Sequence, residues 1–421
     1  MLRYAPRVKE LTLRDDDTSV EILLSLWFRT TLLLPNLRKL HWVQGNYVAF
    51  SSIRLLLSPS LVELHAWVGN GDHSSTLGFL ESYHTLCPNL KSLYLRYVVN
   101  FPHVTTAISR AISRSPNLET LSCNDIDEAA LIQVAQSRCL KEFSCSLRHY
   151  ETDTLKLLAG YGTFNRPPFE NLCILKLDVE DLSSIVPYLR SQYQPFEEVS
   201  FEFRVVSTPG VFHEFFTALC SATRRKSLRC ITLSTFRSLG LVSSQPINFQ
   251  VLSPLMTLSL HGLDVNIPNP ISLNDEEFVR LVQAWPKLVS LGLNQRSGWG
   301  CAASIQVPTL KSLLFLLARC PRLVRVGLCV DAKNIPLLSE DESLIRNTAI
   351  TELSVSNSPI EAPVTKVAHF LLQHFPSLIR VTVYPSATGH MHYHWTWRRV
   401  DQEIKEIVGR RSPDLSEMDF I

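Results

Sequence analysis

The sequence predicts an α/β solenoid of short parallel strands joined by return helices. Three observations carry that expectation: one phrase recurs along the chain, its copies keep a mean period through irregular units, and the segments between copies have helical periodicity. The phrase reads Ser115-Pro116-Asn117-Leu118-Glu119-Thr120-Leu121-Ser122-Cys123. It returns at Pro35-Asn36-Leu37, Cys87-Pro88-Asn89-Leu90, Trp285-Pro286-Lys287-Leu288, Cys320-Pro321-Arg322-Leu323 and Phe375-Pro376-Ser377-Leu378. In shorthand it is P-x-L-x-x-L-x-L, with apolar residues at relative positions 0, 3 and 5.

Each strand comes from the second half of that phrase. In x-L-x-L-x the apolar residues point to one side of an extended segment and the x residues to the other. The first apolar positions of the units run Val8, Leu37, Leu61, Leu90, Leu118, Leu140, Leu172, Phe196, Leu228, Leu255, Leu288, Leu323, Ile350, Leu378 and Leu415. From Val8 to Leu415 is 407 residues over fourteen steps, a mean near 29. That lies at the long end of the roughly 20–29-residue period of leucine-rich repeats.

The helices come from what lies between. Parallel strands need a crossover of a dozen or more residues, and a helix supplies it economically. Phe278, Leu281, Val282 and Trp285 recur at i, i+3, i+4, i+7 after an N-cap at Asn274 or Asp275. Leu310, Leu313, Leu314 and Leu317 repeat the pattern, as do Val104, Ile108, Ala111 and Ile112. The proline of the phrase ends each helix and turns the chain into the next strand. Stacked, the units bury one core, with strands on the concave side of a horseshoe and helices on the convex side. Long units are expected to carry surface loops at 163–170, 236–249, 261–274, 295–308 and 331–347, which are rich in Pro, Gly, Ser and Asn. With no linker long enough to divide it, 1–421 reads as a single repeat domain of about fifteen irregular units.

Composition excludes several function classes. The 41 basic and 39 acidic residues are spread evenly, with no stripe suited to phosphate neutralisation, so no nucleic-acid partner is expected. Arg224-Arg225-Lys226 and Arg410-Arg411 read as solvated repeat edges. No apolar run approaches the ~20 residues that span a bilayer, so no membrane partner is expected either. Among ten cysteines, Cys87 and Cys320 precede the repeat proline, while Cys123 and Cys145 take inward-facing strand positions. Cysteine used as a small core residue fits a reducing compartment, cytoplasmic or nuclear.

The Cys-Pro-x-Leu-x-x-Leu-x-Leu wording, with units of 22 to 37 residues, resembles the cysteine-containing leucine-rich repeats of F-box proteins. The opening Tyr4-Ala5-Pro6-Arg7-Val8-Lys9-Glu10-Leu11-Thr12-Leu13 is similar to the segment that follows the F-box in the large fungal F-box family. The resemblance implies that the repeats capture a substrate protein for a ubiquitin ligase. An N-terminal F-box would then dock on the Skp–cullin scaffold. Here Met1 stands just before the first unit, leaving no room for an F-box or an N-terminal cap, so a Skp–cullin partner is expected only if an F-box lies upstream. The alternative is a free-standing repeat scaffold or inhibitor with no ubiquitin role.

Relative positions 2, 4 and 6 face away from the core and give the candidate partner-binding residues. They are Lys39, His41 and Val43, then Glu63, His65 and Trp67, then Ser92, Tyr94 and Arg96. His41, His65 and Tyr94 are expected to stand in one row, with Trp67 and Arg96 beside them. Aromatics and Arg on a rigid exposed face are what interface hot spots are made of. Along the row, Ser122, Ser144, Lys176, Ser200, Thr232, Ser259, Gly292, Gly327, Ser354 and Thr382 are expected to leave a smooth polar trough.

His390-x-His392-x-His394 would align three imidazoles if extended, the basis for a remote alternative, a metal-dependent enzyme. Same-face neighbours on a strand splay roughly 6–7 Å apart. The segment holds no carboxylate, so a loop packed by Trp395 and Trp397 is the expected reading. There is no G-x-S-x-G, P-loop or G-x-G-x-x-G. Asp15-Asp16-Asp17 and Asp275-Glu276-Glu277 read as helix N-termini. The sequence therefore predicts a protein-binding platform that is not an enzyme and uses no cofactor.

Overall fold

A computed structural model describes residues 4–14, 33–43, 51–68, 73–97, 102–147, 167–191, 195–222, 227–236, 245–295, 305–356, 358–384 and 391–411. The chain forms two compact units, Met1–Asp178 with Gln194–Phe196, and Val179–Tyr193 with Glu197–Ile421. Both are α/β, and every paired strand lies parallel to its partner.

In the first unit the strands are β1 (Glu10–Arg14), β2 (Lys39–Val43), β3 (Glu63–Val68), β4 (Ser92–Tyr97), β5 (Thr120–Ser122), β6 (Glu142–Ser146) and β7 (Ile174–Val179). They pair in chain order. Between them run α1 (His73–Leu86), α2 (Pro102–Ser113) and α3 (Glu128–Ala135). Position 0, 3 and 5 residues fill the core: Leu90, Leu93 and Leu95 are buried, as are Leu118, Leu121 and Cys123. Each new strand is aligned by its predecessor before pairing begins, for the N–H groups of Lys91 and Ser92 both donate to Val62 O.

The turns before β2, β4 and β7 carry a device that the repeat phrase hides. Asn36 Nδ2 donates to Pro6 O at 2.8 Å, Asn89 Nδ2 to Pro59 O at 2.9 Å and Asn171 Nδ2 to Arg138 O at 3.0 Å. In these three the asparagine just before the first core leucine ties its turn to the preceding turn, satisfying a carbonyl left over by the helix-to-strand reversal.

In the second unit the strands are β8 (Glu198–Phe203), β9 (Cys230–Thr235), β10 (Gly262–Asn266), β11 (Ser290–Leu293), β12 (Arg325–Leu328), β13 (Glu352–Ser354) and β14 (Arg380–Thr382). Here too sheet order is chain order. The helices are α4 (Val186–Ser191), α5 (Pro209–Ala222), α6 (Phe249–Leu252), α7 (Asp275–Ala284), α8 (Leu310–Arg319), α9 (Glu340–Leu344), α10 (Val364–His374) and α11 (Met391–Arg411). Asn274 caps α7 in a capping box with Glu277, and Phe278, Leu281 and Val282 face the core as their spacing predicts. Asp275, Glu276 and Glu277 occupy its first turn, where carboxylates meet the positive end of the helix dipole. Asp15 to Asp17, the 224–226 cluster and the final unit at Leu415 lie outside the described residues.

One unit is shifted from its expected place. Leu255, Leu258 and Leu260 fit positions 0, 3 and 5, but the strand is Gly262–Asn266, with Leu260, Leu263 and Val265 in those roles. Pro254 stands at the start of the 3-10 turn Ser253–Thr257, where its fixed φ opens a helical turn instead of closing one. The expected loop 261–274 accordingly contains a core strand. The trough position there is Asp264, paired in register with Thr232 and Gly292, and not Ser259.

The cysteines behave as core residues. The nine described are all free, and Cys87, Cys123, Cys145, Cys320 and Cys329 are buried. Burial pushes the Cys87 thiol up to about 12 and that of Cys320 up to about 11, far from thiolate chemistry. Among the described residues, no helix is long and apolar enough to cross a membrane.

Candidate functional site: the open strand face of the first unit

The open face is set by register. Strands β2, β3 and β4 place His41 opposite His65 and His65 opposite Tyr94, and set Trp67 opposite Arg96. Successive Cβ atoms alternate across a strand, so Leu40, Trp42, Leu64, Ala66, Leu93 and Leu95 go to the core while these side chains stay outside. The structure brings together the row expected from the sequence. Trp67 is 43% exposed and Arg96 is exposed, whereas His41, His65 and Tyr94 are half-buried by one another.

The row is stacked. His65 lies against Tyr94 with ring centroids 3.9 Å apart and planes 19° from parallel. On its other side His41 sits 4.2 Å away, tilted by 41°. Below the rings lies Glu63, two residues before His65 on the same strand and face. Its Oε1 accepts from His41 Nε2 at 3.1 Å and from His65 Nε2 at 3.1 Å, while Lys39 Nζ stands 3.7 Å from Oε2. A carboxylate has no proton to give at neutral pH, so both rings meet it as Nε2–H tautomers.

Charge follows from these contacts. Burial pushes the Glu63 carboxyl up, but the His41 and His65 hydrogen bonds and the Lys39 charge outweigh it and hold the group below its usual value. Desolvation and the neighbouring His41 lower His65, against the pull of Glu63. Tyr94 is raised, first by burial and then by Glu142 and Glu63. Beside the row, Lys91 and Lys141 each reach Glu119 at 2.7 Å and hold its carboxyl down to about 2.

Ligand atoms of His41, Glu63 and His65 all lie within 4.8 Å of one another, a spacing able to hold a metal ion. Sequence reasoning put all three in the outward set but singled out only the histidines. The missed signal is Glu63-x-His65 taken together with His41, which stands one repeat unit of 24 residues earlier at the same position.

At 390–394, where the sequence reading expects a loop packed by Trp395 and Trp397 and offers an extended metal-binding strand as the remote alternative, the described residues from Met391 onward are helical. His394, Trp395 and Trp397 lie on α11, because Gly389 and the residues before it are followed by a 21-residue helix and not by an extended segment. Trp397 is buried and donates from Nε1 to Ser358 O at 2.9 Å, while Trp395 is exposed and meets the Arg398 guanidinium. His390 lies outside the described residues. From Met391 the backbone is helical and not extended, so the strand alternation on which the three-imidazole reading depended is absent from the described part of the segment.

The expected trough in the second unit is also not smooth. Gly292 and Gly327 are buried under the side chain of Gln295, whose Nε2 reaches Asp264 Oδ2 at 3.2 Å. Ser354 is buried there too, and its Oγ donates to Gln295 O at 3.3 Å. The small residues make room for the chain's own glutamine.

No family model matches this chain, and no curated protein matches its sequence.

Proposed function

We propose that this chain is a leucine-rich-repeat horseshoe acting as a non-catalytic protein-binding platform, with the open face of β2, β3 and β4 as its docking surface. The observation that carries this reading is the patch of Trp67, Arg96, Tyr94, His65 and His41 on a rigid parallel sheet. Rings held by stacking, as His41, His65 and Tyr94 are, lose little conformational freedom on binding, and aromatic and Arg side chains dominate interface energetics. Lys91, Lys141 and Glu119 form a polar rim beside it. Raised thiols at Cys87 and Cys320 speak against cysteine nucleophiles in the core.

The resemblance to F-box repeat proteins makes the docked molecule a protein destined for ubiquitylation, with the Skp–cullin scaffold engaged only if an F-box lies upstream. A reducing location, cytoplasmic or nuclear, suits nine free thiols. The test is Trp67→Ala combined with Tyr94→Ala. Each side chain stands outside the core, so the fold is retained, and capture of the partner is expected to weaken at least about tenfold, as for hot-spot truncations above ~1.4 kcal/mol. Undiminished capture would refute the assignment of this face.

A further inference from the structure

We infer that His41, Glu63 and His65 form a binding site for a zinc-class divalent ion, with two imidazole nitrogens and one carboxylate oxygen as protein ligands. This goes beyond the platform reading and stands whether or not a protein docks on the same face.

The geometry is close to what the ion requires. Zinc bonds of about 2.0–2.2 Å to nitrogen and oxygen place tetrahedral ligand atoms about 3.3 Å apart. Both nitrogen–oxygen separations are 3.1 Å, and all three donor atoms fall within 4.8 Å of one another. The donors sit on paired backbone: His41 is in register with His65, and Glu63 is two residues away on the same face. Tyr94 stacks on the outer side of His65 and fixes that ring's plane. Two Nε2–H groups now point at one carboxylate oxygen; an ion between the three atoms takes the Nε2 lone pairs once each neutral ring carries its proton on Nδ1 instead. Donor type selects the metal, since imidazole with a single carboxylate suits zinc and its late first-row neighbours, not calcium or magnesium. The histidine side chains keep 29% and 34% of their surface exposed, so a fourth position opens to solvent and can take water or a donor from a bound molecule.

The test is titration of the metal-stripped, reduced full chain with Zn2+ by calorimetry, followed by substitution with Co2+. The inference expects one equivalent to bind, with visible Co2+ bands of nitrogen and oxygen ligation and no thiolate charge-transfer band. His41→Gln and His65→Gln should each weaken binding by more than the roughly 10–100-fold that loss of an outer-shell partner costs. Lys39→Ala removes a cation and no donor, so it should keep or tighten binding, which separates loss of a ligand from loss of fold. Failure of the wild-type chain to bind Zn2+ would overturn the site. So would equal uptake by the two glutamine variants, or a thiolate spectrum tracing the metal to cysteine.

Discussion

His65 shows how one side chain couples the open face to pH. Its folded-state affinity for protons lies below the ordinary value near 6.5, because burial and His41 oppose the charge more than Glu63 favours it. The unfolded chain therefore takes up that proton first as pH falls, and stability declines below about 6.5. Glu63 has the same sign at lower pH: its depressed carboxyl contributes stability above the unfolded value of 4.5, and the contribution is lost as pH drops through the folded value. His374 and His394 are depressed as well, the first by burial and Arg346, the second by burial and Arg398. Melting temperature should thus fall steadily from pH 7 to 5, and His65→Gln should make that slope shallower. An unchanged slope in the variant would mean that His65 titrates alike in both states. That His41 and His65 would stand in one row with Tyr94 was legible from the repeat period alone. Their convergence on Glu63 was not, because it depends on side-chain reach across a strand pair and not on spacing.

At the scale of the element, each strand is specified twice: by the leucines beneath it and by the turn before it. Leu93 is fully buried in β4, so Leu93→Ala should cost about 2–5 kcal/mol, read as a lower denaturant midpoint. Asn89→Ala removes only the rung to Pro59 and should cost about 1 kcal/mol. Gly327→Ala has a different origin, since the added Cβ would overlap Gln295, and overpacking there should cost about 1–3 kcal/mol. Equal stability of that variant and the parent would show that Gln295 does not lie across the glycines. Strands were readable wherever the proline closed a helix, as at Pro88 and Pro286. At Pro254 the same residue opened a helical turn, and two overlapping leucine frames competed. Only the backbone pairing of His261 and Gly262 with Arg229 O settles the frame. The expected loop packed by Trp395 and Trp397 failed for a related reason: alternating histidines hide any helical period, but a helix begins at Met391.

For the molecule as a whole, the repeats put the charged and polar strand residues on one side of each strand and bury five of the nine described thiols beneath. Cys139 is exposed and Cys173 partly so, whereas five cysteines are buried. A thiol reagent applied to the native protein should label Cys139 first, and Cys87, Cys123, Cys145, Cys320 and Cys329 only after unfolding. Early labelling of the buried set would contradict a continuously packed interior. The central claim, that the β2–β4 face docks a protein, is tested most directly by a photo-crosslinker placed singly at Trp67, Tyr94 and Arg96. The control position is Leu337, 96% exposed in the second unit. In extracts of the native cell, the account predicts adducts with one and the same protein from all three face positions and none from Leu337. Absence of adducts at the three positions, or the same yield at Leu337, would contradict it.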